Sequence, residues 1–403
     1  MNLRFSAMTE RLTSSAVRDI LKLTQGGGII SFAGGLPAES LFPMEAVREA
    51  YERVFRSGGP AVLQYSITEG FPRLREQLSE RMSRRDIGMP AENMIITTGS
   101  QQSIDLLCRI LLDPGDAVLV EAPTYLAALQ VMNTYRAEVR SVDSDDEGML
   151  PDDLEAKIRT YRPKMIYVTP TFSNPAGRVW SAERREALAR LGRQYGVLIA
   201  EDDPYGELKF DPDAKIPLIY ELDRQYGGEP NVVYMSSFSK IVAPALRTGW
   251  TCGSAEVIRM LAKAKQAADL HSSSIDQRAL SELIAGFDLD GHIRTVSEAY
   301  RARMQRLLEL IGRQHWAGAK WNEPKGGMFV WIEMPEDIDT SELLRHAVAE
   351  GIAFVPGEVF FAESPQRNAM RVNFTHTDPE LLPEAVARLD RAVRRMMDKR
   401  KPG

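Results

Sequence analysis

MIYVTPTFSNPAGRVWSAERREALARLGRQYGVLIAEDDPY, residues 165–205, carries the pattern that decides the fold. A short apolar, β-rich run, MIYVT (165–169), passes through a loop into the helical spacing of SAERREALARLGRQY (181–195). The chain then returns to a second apolar run, VLIAE (197–201). Strands alternating with helices in this way build a mostly parallel sheet covered on both faces.

The same alternation extends in both directions. NMIITT (93–98) precedes SQQSIDLLCRILL, AVLVE (117–121) precedes TYLAALQVMN, and NVVYMSS (231–237) is followed by RTGWTCG. Beyond about residue 255 the spacing becomes helical in SIDQRALSELIAG and HIRTVSEAYRARMQRLLELIGRQ. The run GGMFVWIEM (326–334) then opens an α+β tail. The fold class is therefore α/β, with a large central domain and a smaller domain assembled from both chain ends. The expected division is an arm with a helical segment at 1–45, a large domain at 46–290 and a small domain at 291–403.

Bulk composition narrows the function. The net charge is −6, and the 50 Lys and Arg residues form no long basic run. That argues against a nucleic-acid footprint, which needs clustered cations. The C-terminal RRMMDKRKPG reads as a solvated helix end. Two cysteines, Cys108 and Cys252, sit in apolar surroundings with no CxxC, so buried reduced thiols are expected and zinc ligation is not. No apolar run approaches the roughly 18 residues that span a bilayer, and the N-terminal stretch lacks the apolar core of a signal peptide. A cytoplasmic protein is expected. No GxGxxG lies between a strand and a helix, and no GxxxxGK[ST] occurs, so nicotinamide and P-loop chemistry are not indicated.

Chemistry-bearing residues follow the strands, at the edge where open α/β sheets bind ligands. Gly99, Ser100 and Gln101 begin a helix and suit a phosphate, although serine is also a common N-cap. Tyr125 after AVLVE can stack on a flat ring or simply pack at a helix start. Asn174 before Pro175 can turn its amide into a site or mark a turn. Glu201, Asp202 and Asp203 are costly if buried without partners and ordinary if they lie on the surface; Tyr205 follows. SSFSK ends in Lys240, a candidate Schiff-base amine, with Ser237, Ser239 and Arg247 able to hold a dianion. Arg371 in AMRVNFTH offers a fork suited to a carboxylate. An amine, a carboxylate, a ring face, a ring-oxygen donor and phosphate anchors together match the requirements of pyridoxal 5′-phosphate.

The ordered set VRDILKLT, ISFAGGLP, LQYSITEGFPRLRE, TTGSQQ, EAPTY, SNPAGR, EDDPY, SSFSK, KGGMFVW, AFVPG and MRVNF resembles fold-type I pyridoxal-phosphate enzymes. Specifically, it resembles class I/II aminotransferases of the 2-aminoadipate, kynurenine and aromatic branch. The resemblance implies a large domain with a mostly parallel seven-stranded sheet flanked by helices. It implies Lys240 as the Schiff-base residue and proton shuttle, Asp202 as partner of the pyridinium nitrogen, and Tyr205 with Asn174 on the ring oxygen. Tyr125 would stack on the ring, and Ser100, Gln101, Ser237, Ser239 and Arg247 would hold the phosphate. Arg371 would clamp the substrate carboxylate beside Asn174 and Gly35. Tyr65 would reach the partner subunit's site in a homodimer, and Ser15 and Arg18 would meet the substrate side chain. No metal is implied.

Two positions depart from the family pattern. Ala176 stands where many relatives have threonine, and Ala245 where glycine is usual; both bear on fine substrate preference and reaction type. The implied activity moves an amino group between an L-amino acid (glutamate, 2-aminoadipate, aromatic or aliphatic) and a 2-oxo acid by a ping-pong route. The alternative is another reaction on the same scaffold: a decarboxylase, a lyase or an oxidase. A transcription regulator of aminotransferase-like build is disfavoured, because the residues ahead of ISFAGG are too few for a winged helix–turn–helix.

Overall fold

The computed structural model describes residues 3–12, 15–24 and 28–398; the last five residues of the basic C-terminal stretch lie outside them. Seven strands form the main sheet: β1 Met94–Thr97, β2 Ala117–Glu121, β3 Glu138–Val142, β4 Met165–Val168, β5 Leu198–Asp202, β6 Val232–Ser237 and β7 Gly249–Cys252. Their order across the sheet is β1-β7-β6-β5-β4-β2-β3. All run in one direction except β7, which pairs antiparallel with both β1 and β6. The strands β1, β2, β4, β6 and β7 are buried along their whole length. This is why their sequences read as continuous apolar runs rather than alternating ones.

Two features escaped the sequence pattern. Strand β3 reads EVRSV, and its first three residues are exposed or half-buried. An edge strand with a polar outer half gives no apolar run to find. The reversal of β7 also leaves no trace in periodicity, because β7 is as buried as its parallel neighbours.

Helices close the crossovers with ordinary local chemistry. In α1, Ala182–Tyr195, the Ser181 hydroxyl accepts from the Arg184 amide at 3.3 Å, and Gly196 ends the helix at φ 65°. The α/β pattern quoted first therefore forms as expected, strand to capped helix to strand.

A second, antiparallel sheet holds Lys320–Trp321, Phe329–Glu333, Ala369–Asn373 and Val355–Pro356 in that order. The N-terminal segment joins this region: Ile30–Ser31 pairs in parallel with Ile352–Ala353, and the Asn373 amide donates to the Phe32 carbonyl at 2.9 Å. The expected boundary at 290/291 falls at the start of the helix Leu289–Gly312. Among the described residues, no helix is long and apolar enough to cross a membrane.

Candidate active site

The carboxyl ends of β1, β2, β4, β5 and β6 share one edge of the sheet, and the residues that follow them surround a cavity of about 730 Å³. Ser100, Gln101, Tyr125, Asn174, Tyr205 and Lys240 line it. So do Ser237, Ser239, Arg247 and, from the second sheet, Arg371. The arm contributes Gly35, Ser15 and Arg18. Thus five strand ends, the arm and the C-terminal region converge, as the sequence order implied.

Lys240 points its ammonium at the Gly35 carbonyl, 2.7 Å away. Burial pushes the amine down to about 8, and Arg371 and Arg247 push in the same direction. Such an amine reaches its neutral, nucleophilic form far more readily than a surface lysine.

The three acids after β5 are all buried, at 0 % for Glu201, 2 % for Asp202 and 3 % for Asp203. That excludes the alternative of surface acids near a turn. Two have structural work. Glu201 accepts from the amides of Ile219 and Tyr220 at 2.9 and 2.8 Å, and Asp203 accepts from the Tyr234 hydroxyl at 3.1 Å. Asp202 and Asp203 each leave Oδ1 without a partner, but the charges of Arg85 and Arg185 favour the ionised form of Asp203, whereas Asp202 accepts from Tyr167 at 2.7 Å and is helped by Ser100, with no cation among the described residues acting on it. Burial pushes this carboxyl up to about 7, against the Tyr167 bond that favours its charged form. A buried carboxylate oxygen lacking a donor fits a cationic ring N–H, and leaving it unmatched is costly.

The phosphate-sized end is made of short polar side chains on a constrained backbone. Ser237 Oγ donates to Ser239 Oγ at 2.8 Å and accepts from the Ser239 amide at 3.1 Å. Arg247 reaches Ser239 Oγ at 3.4 Å and the Thr98 carbonyl at 3.2 Å. Its backbone is left-handed, φ 45°, at a cost of about 1–2 kcal/mol for a residue with a Cβ. Gly99 holds φ 77°, and a Cβ there would lie 2.8 Å from the Arg247 guanidinium. Gly99, not Ser100, is the N-cap of the helix Ser100–Leu111. The Ser100 hydroxyl is therefore not used as a cap, and it favours the charged form of Asp202.

Arg371, at 2 % exposure, lies between the rings of Phe329 and Phe360 at 4.5 and 5.1 Å. It donates to Asn174 Oδ1 at 2.7 Å and to the Ala33 carbonyl, and its Nε has no partner. Burial pushes the guanidinium down to about 10, opposed by Tyr205 and Tyr125. A buried cation with a free N–H is matched to an anionic ligand. Tyr125 stands at the start of the helix Leu126–Thr134 with its hydroxyl 3.3 Å from Gln101, and burial pushes its phenol up to about 12. Tyr205 packs edge-on to Phe329 at 5.8 Å.

Asp202 does not itself line this cavity, although Ser100, which does, favours its charged form, and neither does Tyr65. Tyr65 is 79 % exposed and meets His271 edge-on at 5.9 Å. Conversely, the cavity includes Lys22, Gln130, Thr169 and Phe360, none of which the motifs singled out. Tyr167 was also missed. Its signal was available, since a tyrosine inside a fully buried strand needs a hydrogen-bond partner. Both cysteines are buried, as expected. Among the described residues, no cluster of His, Cys, Asp or Glu could hold a metal ion.

A lysine of lowered pKa, an unmatched buried carboxylate, a serine–arginine cup and a sandwiched arginine around one cavity define a pyridoxal-phosphate site on an α/β scaffold. The family model for aminotransferase class I and II matches residues 29–389. The chain belongs to that family, and it is a pyridoxal-phosphate-dependent transferase exchanging amino groups between amino acids and 2-oxo acids.

Among its relatives, aromatic-amino-acid aminotransferase 1 of Thermococcus litoralis is 40 % identical over 98 % of this chain and 95 % of its own. The 2-aminoadipate transaminase of Thermus thermophilus is 39 % identical over 96 % of each chain. A solved structure of alpha-aminoadipate aminotransferase from Thermus thermophilus, in complex with N-(5'-phosphopyridoxyl)-L-leucine, superposes with a TM-score of 0.91. It is 36 % identical and covers 98 % of both chains.

Proposed function

We propose that this aminotransferase draws amino groups from glutamate, 2-aminoadipate and aromatic or aliphatic L-amino acids, and that it works by a ping-pong route as a cytoplasmic homodimer. The single observation that carries the reading is the convergence on one cavity of Lys240 and the carboxylate-seeking Arg371, with the buried Asp202 just behind the lining residue Ser100, which favours its charged form.

Pyridoxal phosphate, when bound, supplies an electron sink for charge developing at the substrate Cα. Lys240 is its covalent anchor, and once freed its Nζ is the base that carries the proton. The amine's lowered pKa suits it to that work near neutral pH. Asp202 would pair with a protonated ring nitrogen, and such a cation would favour its carboxylate form against burial. Tyr205 and Asn174 would bond the ring oxygen, and Tyr125 would cover the ring face. Ser100, Gln101, Ser237, Ser239 and Arg247 take the phosphate. Arg371, with Asn174 and Gly35, fixes the α-carboxylate and so orients the Cα–H bond.

Ser15 and Arg18 serve the substrate side chain: Arg18 pairs with a distal carboxylate and moves aside for apolar groups. Tyr65 serves the site of a second copy. Its support is a strongly exposed apolar stretch, Leu63, Tyr65 and Ile67, which suits burial by a partner. The reading treats residues 46–290 as the cofactor domain and 291–403 as the small domain.

The test is amino transfer from glutamate, 2-aminoadipate, kynurenine, phenylalanine and leucine to 2-oxo acids by the purified protein, with CO₂ release and O₂ uptake monitored. Transfer with parallel double-reciprocal lines is expected. Dominant CO₂ release or O₂ uptake would install the decarboxylase or oxidase alternative instead.

A further inference from the structure

Lys265 sits in the helix Ala255–Asp269, outside the cavity, with no exposed surface. A fully buried ammonium is costly unless surrounded by acceptors. Here Nζ donates to both oxygens of Asp269 at 2.9 and 2.8 Å, to Gln102 Oε1 at 2.6 Å and to Ser272 Oγ at 2.9 Å. Two of those acceptors lead to one residue. Gln102 Oε1 also accepts from the Thr98 amide at 2.9 Å, and Ser272 Oγ lies 2.9 Å from Thr98 Oγ1. Thr98 in turn offers its carbonyl to Arg247 at 3.2 Å. One ammonium therefore fixes the amide side and the hydroxyl side of the residue whose carbonyl aims the Arg247 guanidinium. The same residue leads into Gly99 and the start of the phosphate-facing helix.

We infer that Lys265 is a positioning residue for the phosphate cup: it acts through Gln102, Ser272 and Thr98 to hold Arg247 and the turn at Gly99 in the arrangement that receives a phosphate. The inference rests on the proposed role of that cup. Lys265 makes its contacts outside the ring and carboxylate sites, so its effect falls on the phosphate and not on the pyridine ring. Through Ser272 it also braces His271, whose Nε2 accepts from the Ser66 amide at 3.2 Å and whose ring meets Tyr65. The segment assigned to the second copy's site thus shares this support.

The experiment compares binding of pyridoxal phosphate with binding of pyridoxal, which lacks the phosphate, to cofactor-free protein. Wild type should prefer the phosphorylated form strongly. Lys265→Met should lose about 10- to 100-fold in affinity for pyridoxal phosphate, the scale of hydrogen bonds to charged groups, with affinity for pyridoxal nearly unchanged. Ser272→Ala, a smaller perturbation, should move the same ratio in the same direction, and it decides the matter should Lys265→Met fail to fold. An unchanged ratio in the folded variants, or equal losses for both ligands, would overturn the inference. A wild type with no preference between the two ligands would overturn the phosphate cup itself, which is a different result.

Discussion

At the strand-edge end of the cavity, Asp202 and Ser237 are buried on backbone fixed by sheet register and Ser239 on the turn that follows, each with a neighbouring hydrogen bond already made. At the arm end, Arg18 and Lys22 are exposed on the nine-residue helix Ala16–Thr24. Lys22 pairs there with Asp19, three residues before it. Surface pairs of that kind are worth about 0–1 kcal/mol. The first end is built to hold charge in one geometry, which is what electrostatic preorganisation requires. The second can rearrange at little cost, which suits side chains of different kinds. The contrast teaches that chemistry and specificity are separated along one cavity.

The largest expected effect tests the rigid end. Lys240→Ala should lower kcat/KM by at least about 10⁴-fold, since one residue supplies both covalent anchor and base. The assay is transfer from glutamate, with the visible absorbance of bound cofactor as a second readout. Activity near wild type would move the chemistry away from β6.

Arg371→Leu comes next. Removing one partner of a buried charge pair costs about 2–5 kcal/mol, so kcat/KM should fall roughly 10²-fold or more for every amino acid tested. A loss confined to dicarboxylate substrates would erase the distinction between the two ends, because Arg371 would then read side chains.

A third expectation concerns stability of the cofactor-free protein. Burial holds the Asp202 carboxyl at about 7, above its ordinary 3.8. Between those values the unfolded chain is ionised while the folded one keeps its proton, so the folded state binds more protons. The contribution of Asp202 is therefore fully present below about pH 4 and is lost as pH rises through 7, with a slope of at most about 1.4 kcal/mol per pH unit. Glu121 and Glu201, also at about 7 through burial, act with the same sign. Asp202→Asn should flatten the fall in Tm between pH 5 and 7 without abolishing it. A Tm profile unchanged from wild type would mean that Asp202 is not strained in the empty site.

How much of this was legible before the fold was known follows the same division. Lys240, Asp202 and Arg247 lie beside strands whose apolar runs announce themselves, so topology alone placed them at one edge. Even so, the run EDD did not say which acid faces inward. Glu201 is taken up by the amides of Ile219 and Tyr220, and Asp203 by Tyr234 with the charges of Arg85 and Arg185, while Asp202 is supported by Tyr167 and by Ser100 of the cavity lining. Those partners are tertiary, 15 or more residues away, and no local pattern encodes them. Thr169 and Gln130 were invisible for another reason: residues of ordinary type become site residues only when helix and strand ends converge. Edge strand β3 was lost because half of it faces water.

The smallest effect probes the adaptable end. Arg18 lines the cavity yet is exposed and makes no hydrogen bond or ion pair among the described residues. An exposed cation can contribute only about 1 kcal/mol to a distal carboxylate, roughly a 5-fold preference. Arg18→Ala should therefore lower kcat/KM for 2-aminoadipate and glutamate by about that factor, leave phenylalanine and leucine unchanged, and weaken further as salt is raised. A loss of several hundred-fold would mean that the arm closes over the substrate and desolvates Arg18, making the two ends alike. No change in the dicarboxylate-to-aromatic ratio would leave Arg18 a surface residue and return the choice of side chain to Gln130, Lys22 and the walls around them.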